Sequence, residues 1–191
     1  HQDFSAELAR MSTSGADAVF TFMPGGMGVR LVNQFAKAGL SDSMKFMSVF
    51  TTDETTLPGQ KDAAVGFLAA GSWAPDLENE ANNAFVASFE AEYGYVPGSY
   101  AMQAYDTASL IDSAITKTGG DLTDKDAVRT ALKEADFTSL RGDFSFNNNH
   151  YPVQDFHMLK VAKRDDGKFQ TSFVRTIAEN YADSFHQDCK M

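Results

Sequence analysis

Apolar residues recur at helical spacing at the start of the chain and then crowd into a short run. Phe4, Leu8 and Met11 share one face of a predicted helix that Asp3 or Ser5 caps and that ends near Ser12. The stretch GADAVFTFM that follows predicts a strand, because it is dense in apolar residues and begins at a glycine break. The Gly-rich turn TFMPGGMGVR overlaps its end.

Predicted helices and strands continue to alternate to about residue 73. GVRLVNQFAKAGL predicts a helix with Leu31, Phe35 and Ala38 on one stripe and Gly39 at its end. MKFMSVF and AAVGFLAAGSW predict two further strands, separated by the turn-rich TTDETTLPGQ. Strands that alternate with helices indicate βαβ units. The continuous apolar strands predict a parallel sheet covered on both faces.

From Pro75 a polar connection leads into three predicted helices. Thr123 is the expected N-cap of the third helix. In the first helix, Ala81, Phe85, Phe89 and Tyr93 are spaced by four. In the second helix, we expect burial of Tyr105, Ala108, Ile111 and Ile115. Period-two strands follow, with a hairpin turn at RDDGK and a last helix-like segment at AENYADSF.

Composition narrows the classes of function. The net charge of −10 argues against nucleic acid and against docking on anionic lipid. No stretch approaches the roughly 18 apolar residues of a membrane span, so direct membrane insertion is not expected. Cys189 alone forms no internal disulfide and no cysteine-based zinc site, so we expect a free thiol in the tail.

The Gly-rich turn fits neither phosphate-binding template. A P-loop needs GxxxxGK[ST], whereas Val29 and Arg30 follow these glycines; a dinucleotide fingerprint needs GxGxxG, whereas the chain has GGMG. A turn from a strand into a helix still points backbone N–H groups beyond the strand, where a carboxylate binds favourably. Gly25 and Gly26 remove side chains that would block its approach. We therefore expect this turn to face a ligand.

Catalytic and metal patterns are weak. No GxSxG, HExxH or Cys–His pair is present, and no cofactor is expected. Within NHYPVQDFH, a metal site is one interpretation of His150, Asp155 and His157; an exposed β-hairpin is the favoured one. No catalytic or metal-binding role is expected for the remaining histidines or for the acids of TTDETT. His1 and His186 are expected to lack partners, and Asp53 and Glu54 to cap a helix.

The order of these segments resembles the type I periplasmic binding proteins of ABC transporters, in the leucine/isoleucine/valine-binding branch. The resemblance is carried by DFSAELARMSTSGADAVFTFMPGGMGVRLVNQFAKAGL, KDAAVGF, NNAFVASFEAEYGYVPGSYAMQAYDTASLIDSAI, AVRTALKEADFTSLRGDFSF and NHYPVQDFHMLKV, which together cover nearly the whole chain.

The resemblance implies two α/β lobes of Rossmann-like sheets, joined by three crossovers, with ligand in the cleft between them. Residues 1–73 would form most of lobe two, 74–158 the later part of lobe one, and 159–191 a crossover strand, hairpin and tail returning to lobe two. The start of both lobes would be missing, which makes the chain a C-terminal fragment. We therefore expect it to dimerise or swap elements through uncovered apolar surface.

The resemblance also implies that the turn contacts ligand, through Met23, Pro24, Gly25 and Gly26. Amino-acid-binding relatives carry an acid at the end of the next strand, whereas Phe50 and Thr51 stand there in MSVFTT. An aromatic acid is therefore favoured over an amino acid, with Phe50 against its ring and Thr51 or backbone N–H groups at its carboxylate. Asp53 supplies an acid if the register shifts. With it, Met27, Trp73 and Tyr100 are further candidate ligand contacts.

These expectations lead to three hypotheses of function. The first is a periplasmic, non-enzymatic solute-binding subunit that delivers a small carboxylate to a membrane permease. The second is a ligand-sensing regulatory domain of the same fold. The third is an α/β enzyme with a small-anion site, which the missing nucleophile–base pair disfavours.

Overall fold

The computed structural model describes residues 3–190, which form a sheet of six strands with six α-helices and three short 3-10 helices. The helices are α1 (Ser5–Ser12), α2 (Gly26–Lys37), α3 (Leu57–Gln60), α4 (Glu80–Tyr93), α5 (Ser99–Lys117) and α6 (Lys125–Glu134). The strands are β1 (Ala18–Thr21), β2 (Lys45–Ser48), β3 (Leu68–Gly71), β4 (Ser145–Phe146), β5 (Pro152–Lys163) and β6 (Phe169–Tyr181).

Three parallel strands form one side of the sheet, in the order β1–β2–β3, as the alternation of helices and strands predicts. The long strand β5 joins β3 in antiparallel register, and β6 returns along β5. The RDDGK turn between β5 and β6 is confirmed: the Arg164 N–H donates to the Lys168 carbonyl at 2.8 Å, with Gly167 at a φ of 84°.

Two larger clusters of buried residues and a smaller one, at Ala69, Ala74 and Leu159, stabilise the fold. The first packs α1 and α2 on one face of the sheet and includes Leu8, Val32, Phe35, Phe46 and Val161. Its aromatic centre is a stacked pair, Phe46 and Phe67, whose ring centroids lie 4.5 Å apart. The second cluster packs Trp73, which follows β3, and Leu140, which follows α6, against Phe85 of α4 and Met102 of α5.

The structure corrects several sequence predictions. AENYADSF is not helical, because β6 continues to Tyr181 and pairs with β5 as far as Gln154. The N-cap of α6 is Asp124, one residue after the predicted Thr123, because the Asp124 carboxylate accepts from the N–H of Asp126 and of Ala127.

The predicted inner face of α5 is also wrong. Its buried residues are Met102, Asp106 and Ala114. The predicted set is exposed: Tyr105, Ala108, Ile111 and Ile115. The helix turns its polar Asp106 inward, where this carboxylate accepts from Ser139 Oγ at 2.6 Å, from the Leu140 N–H at 2.9 Å and from Arg141 Nε at 3.1 Å.

The prediction of a sheet covered on both faces fails for the second face. Phe20 is 66% exposed and Ile177 46% exposed, and with Met47, Leu68 and Met158 they line a concave apolar surface built of strand residues. Among the described residues, α1 and α2 cover the opposite face, where Phe35 and Phe46 are buried. We call the uncovered set of Phe20, Met47, Leu68, Met158 and Ile177 the open sheet face.

We expect the open sheet face to drive self-association, because burying exposed apolar surface is favourable. Light scattering should find a dimer or a larger species. The double substitution Phe20→Lys/Ile177→Lys should shift the chain to the monomer, whereas Phe185→Lys, on a residue that is 74% exposed outside this face, should leave association unchanged. A wild-type chain that is monomeric at all concentrations contradicts this prediction.

Candidate functional site

The turn between β1 and α2 is built on two glycines. Gly25 has a φ of 69° and a ψ of −150°, a conformation that side chains disfavour, and α2 begins at Gly26. A Cβ added to either glycine would meet no heavy atom within 4 Å, so the space beyond this turn is open. This geometry leaves room at the turn, and the predicted contact with a ligand stays a prediction.

A third glycine fixes the turn against the helix. A Cβ at Gly28 would lie 2.1 Å from the carbonyl oxygen of Met23 and 3.2 Å from Cγ2 of Thr51. Gly28 therefore allows the first turn of α2 to contact the backbone that precedes it. The sequence analysis singled out Gly25 and Gly26 and missed Gly28. Its signal in the sequence is a third glycine two residues after Gly26, within the first turn of α2.

Thr51 joins the turn to the loop after β2. Its side chain is fully buried, and its Oγ1 accepts from the Met23 N–H at 2.8 Å and donates to the Thr21 carbonyl at 3.4 Å. The Thr51 carbonyl accepts from Gln60 Nε2 at 2.7 Å. Thr51 thus positions the turn, and its hydroxyl is engaged within the protein.

Three aromatic rings meet beside the turn. The Phe50 and Tyr100 rings are stacked, with centroids 6.1 Å apart and planes 18° apart, and Phe22 meets Phe50 edge-on at 6.1 Å. Phe22 is 64% exposed and Tyr100 57% exposed. The structure thus brings together two residues predicted from distant parts of the sequence and adds Phe22, which sequence reasoning missed. We call Phe22, Phe50 and Tyr100 the ring cluster.

The remaining candidates lie in different surroundings. Met27 is 40% exposed in the first turn of α2. Asp53 Oδ1 accepts from the backbone N–H of Thr55 at 2.9 Å and of Thr56 at 3.1 Å, so Asp53 caps the turn that leads into α3. Trp73 is only 1% exposed and donates its Nε1–H to Asn82 Oδ1 at 2.7 Å, which places it in the second core cluster rather than at the turn.

Glu54 is not a helix cap as expected. It is 7% exposed, and its Oε1 accepts from the Thr171 N–H at 2.7 Å and from Thr171 Oγ1 at 2.6 Å. Burial raises the pKa of Glu54 to about 7, because removal from water disfavours the charged form more than the Thr171 bonds stabilise it. The loop after β2 is therefore tied to β6 by a carboxyl group that titrates near neutral pH.

The histidines do not form a metal site in the part of the chain that the structure describes, where no group of three or more His, Cys, Asp or Glu side chains is placed to hold an ion. His157 is buried, not exposed on a hairpin as predicted; its Nδ1 lies 3.2 Å from Thr176 Oγ1. Burial lowers the pKa of the His157 imidazole, and the nearby Asp155 carboxylate offsets part of that shift.

Near the chain ends, His186 has a partner, contrary to prediction, since its Nδ1 lies 3.0 Å from Asn148 Oδ1. Cys189 is a free cysteine, as expected. His1 lies outside the described residues. Over residues 3–190 no helix is both long and apolar enough to cross a membrane.

The sequence profile of the periplasmic binding protein family matches residues 1–168 of this chain. The chain belongs to this family. A curated relative, the Leu/Ile/Val-binding protein homolog 6 of Brucella melitensis, is 30% identical over 184 residues, which cover 92% of this chain and 46% of the relative. Its counterpart in Brucella abortus is 30% identical over 187 residues. The chain thus spans about half the length of the curated relatives it matches.

Solved structures of this family share the fold. A solute-binding protein of an ABC transporter from R. palustris, in complex with benzoate, is 29% identical with a TM-score of 0.85, over 96% of this chain and 49% of that one. Another, from Rhodopseudomonas palustris BisB5 in complex with 3,4-dihydroxybenzoic acid, is 32% identical with a TM-score of 0.83, over 95% of this chain and 50% of that one. The type I periplasmic binding protein fold predicted from the sequence is confirmed, in a chain that covers half of these proteins.

The close approach at Gly28 predicts a sharp contrast between two glycines of this binding protein. Gly28→Ala should lower the free energy of unfolding by about 1–3 kcal/mol, because the new methyl group would overlap the Met23 carbonyl. Gly26→Ala should change it by less than about 1 kcal/mol, because the space there is open. Urea unfolding followed by circular dichroism measures both. Equal stability of the two variants would rule out the proposed contact.

Proposed function

We propose that this chain is part of the solute-binding subunit of an ABC importer and that it binds a small aromatic carboxylate. The observation that carries the proposal is the ring cluster, which lies beside the glycine turn at the start of α2. Two related solute-binding proteins, at 29% and 32% identity, hold benzoate and 3,4-dihydroxybenzoic acid. These similarities support an aromatic acid as the ligand class.

In the proposed complex the ring of the acid packs against the ring cluster. Phe50 and Tyr100 present roughly parallel faces, and Phe22 presents an exposed ring next to them. Aromatic rings attract one another at centroid distances of 4.5–7 Å in stacked or edge-on geometries, so a benzoate ring is a suitable partner. Phe50 stands at a φ of 56°, an unusual conformation for a bulky residue that a functional position can explain.

The carboxylate would be held at the start of α2. Backbone N–H groups of the first helical turn have no partner within the helix, and the helix dipole places partial positive charge there. Met23, Pro24, Gly25 and Gly26 would form this wall of the site, with Met27 at its edge. The open space above both glycines supports the approach of an anion.

The acids near the turn favour this ligand over a branched-chain amino acid. A buried ammonium group needs a carboxylate partner. Asp53 Oδ1 is occupied by backbone N–H groups of its own loop, and Glu54 Oε1 accepts both donors of Thr171. Phe50 and Thr51 supply no charge, so a ligand ammonium beside the ring cluster would depend on Asp53, whose Oδ1 already holds two backbone N–H groups.

The proposal extends to the architecture and surroundings of the whole protein. The cluster around Phe35 would belong to lobe two, formed by residues 1–73, and the cluster around Phe85 to lobe one, with residues 74–158. Residues 159–191 would return to lobe two. The protein would work outside the cytoplasm without catalysing a reaction, and would deliver its ligand to a membrane permease.

Isothermal titration calorimetry tests the ligand class. Benzoate and 4-hydroxybenzoate should bind the chain, whereas leucine should not. Phe50→Leu should weaken benzoate binding about two- to tenfold, since it removes an aromatic contact worth roughly 0.5–1.5 kcal/mol while keeping apolar volume. Tyr151→Leu is the matched control, because it makes the same ring-to-leucine change at a residue that is 63% exposed and not a member of the ring cluster.

The benzoate-binding protein from R. palustris serves as the positive control for the titrations. Tight leucine binding without any aromatic-acid binding would overturn the proposed ligand class. Benzoate binding that is unaffected by Phe50→Leu would remove the ring cluster from the site.

A further inference from the structure

The loop at residues 49–56 carries residues that form or position the proposed ligand site. It begins at the end of β2, where the Val49 N–H donates to the Thr21 carbonyl at 3.2 Å. Phe50 supplies a ring, and Thr51 holds the Met23 N–H. Any displacement of this loop therefore moves both the ring cluster and the turn.

The second half of the loop contacts two elements that lie far away in the sequence. Glu54 Oε1 accepts from the N–H and the hydroxyl of Thr171, which lies on β6 and is 3% exposed. On the opposite side, a Cβ at Gly98 would lie 3.4 Å from Cβ of Glu54 and 3.6 Å from Cγ2 of Thr55. Gly98 is the N-cap of α5, whose second residue is Tyr100.

Glu54 is thus packed between two elements that lie far apart in sequence. Residue 171 is 117 positions away along the chain, and α5 carries one member of the ring cluster. We infer that Glu54 is a positioning residue of the ligand site: its carboxyl group fastens the loop of Phe50 and Thr51 to β6, against the start of α5. This inference rests on the proposed function, because Glu54 would align the residues of the proposed ligand site.

The protonation state of Glu54 determines how strongly the loop is held to β6. The neighbouring Asp53 carboxylate adds to the upward shift in the pKa of Glu54, on top of burial. Lys61, Tyr95 and Lys168 line the adjoining cavity of about 260 Å³, and Lys168 donates to Glu90 Oε2 at 2.8 Å. The neutral acid still accepts from Thr171 without a buried charge, whereas the ionised form is disfavoured in the buried position.

The direction of the pH dependence follows from this. A group whose pKa is raised on folding stabilises the folded arrangement at low pH, and that stabilisation is lost as the pH rises through the raised value. With a pKa of about 7 for Glu54, the loop should be held at pH 6 and released more readily at pH 8. Ligand affinity should follow the same profile.

Hydrogen exchange of the ligand-free chain tests the inference at two amides. The Met23 N–H reports the turn, and the Thr171 N–H reports the Glu54 bond. Protection factors, corrected for the intrinsic pH dependence of exchange, should fall up to about tenfold between pH 6 and pH 8 in the wild-type chain. Glu54→Gln keeps an acceptor oxygen without a titrating proton, so both protection factors should become independent of pH.

Two further variants make the result decisive. Glu92→Gln removes an exposed carboxylate on α4 and should keep the wild-type profile. Thr171→Val removes one of the two donors to Glu54 and should lower Met23 protection at both pH values, which supplies a test even where Glu54→Gln fails to fold. Wild-type protection that is equal at pH 6 and 8, a pH profile retained by Glu54→Gln, or unchanged Met23 protection in Thr171→Val would each overturn the inference.

Benzoate titrations at the same two pH values separate this inference from the proposed function. Affinity should fall with rising pH in the wild type and stay constant in Glu54→Gln. If the exchange profiles appear as expected but benzoate does not bind, the proposed ligand class fails and the positioning of the loop stands. If benzoate binds with no pH dependence in either measurement, the inference on Glu54 fails alone.

Discussion

The architecture of the site depends on one hydrogen bond, from the Met23 N–H to Thr51 Oγ1. It joins the segments that leave β1 and β2, two neighbouring parallel strands, at their carboxyl ends. In open α/β sheets this edge is where ligands bind, because the loops of adjacent strands converge there. Thr51 is fully buried, so the acceptor end of this bond is removed from water, and the bond joins the glycine turn to the Phe50 loop.

Close packing at Gly28 and at Gly98 fixes the other parts of the site. The missing side chain of Gly28 lets α2 start directly against the Met23 carbonyl, so the first turn of the helix faces the space beyond the sheet. On the other side, Glu54 and Gly98 bring the loop against β6 and the start of α5. Tyr100 then reaches Phe50, although fifty positions of sequence separate them. Residues from both halves of the chain thus meet at the carboxyl edge of the sheet.

Local patterns predicted the parts of this arrangement that depend on neighbouring residues. The glycine turn, the hairpin at Gly167 and the parallel order of β1–β3 all follow from short-range rules. Predictions that required knowledge of a distant partner failed. Asp106 faces inward because Ser139 and Arg141 lie there, and His157 is buried because β6 covers it; neither partner can be identified from periodicity alone.

The sequence by itself determined the α/β fold class and the position of the turn, because hydrophobic periodicity and glycine placement act over a few residues. The family followed from the resemblance of its segments to known binding proteins. Only the tertiary structure decided that Phe22 joins Phe50 and Tyr100, that Trp73 lies in a core, and that Glu54 binds β6. Such contacts depend on which chain segments meet in space. Burial, which sets both the packing of Trp73 and the raised pKa of Glu54, exists only once those segments have met.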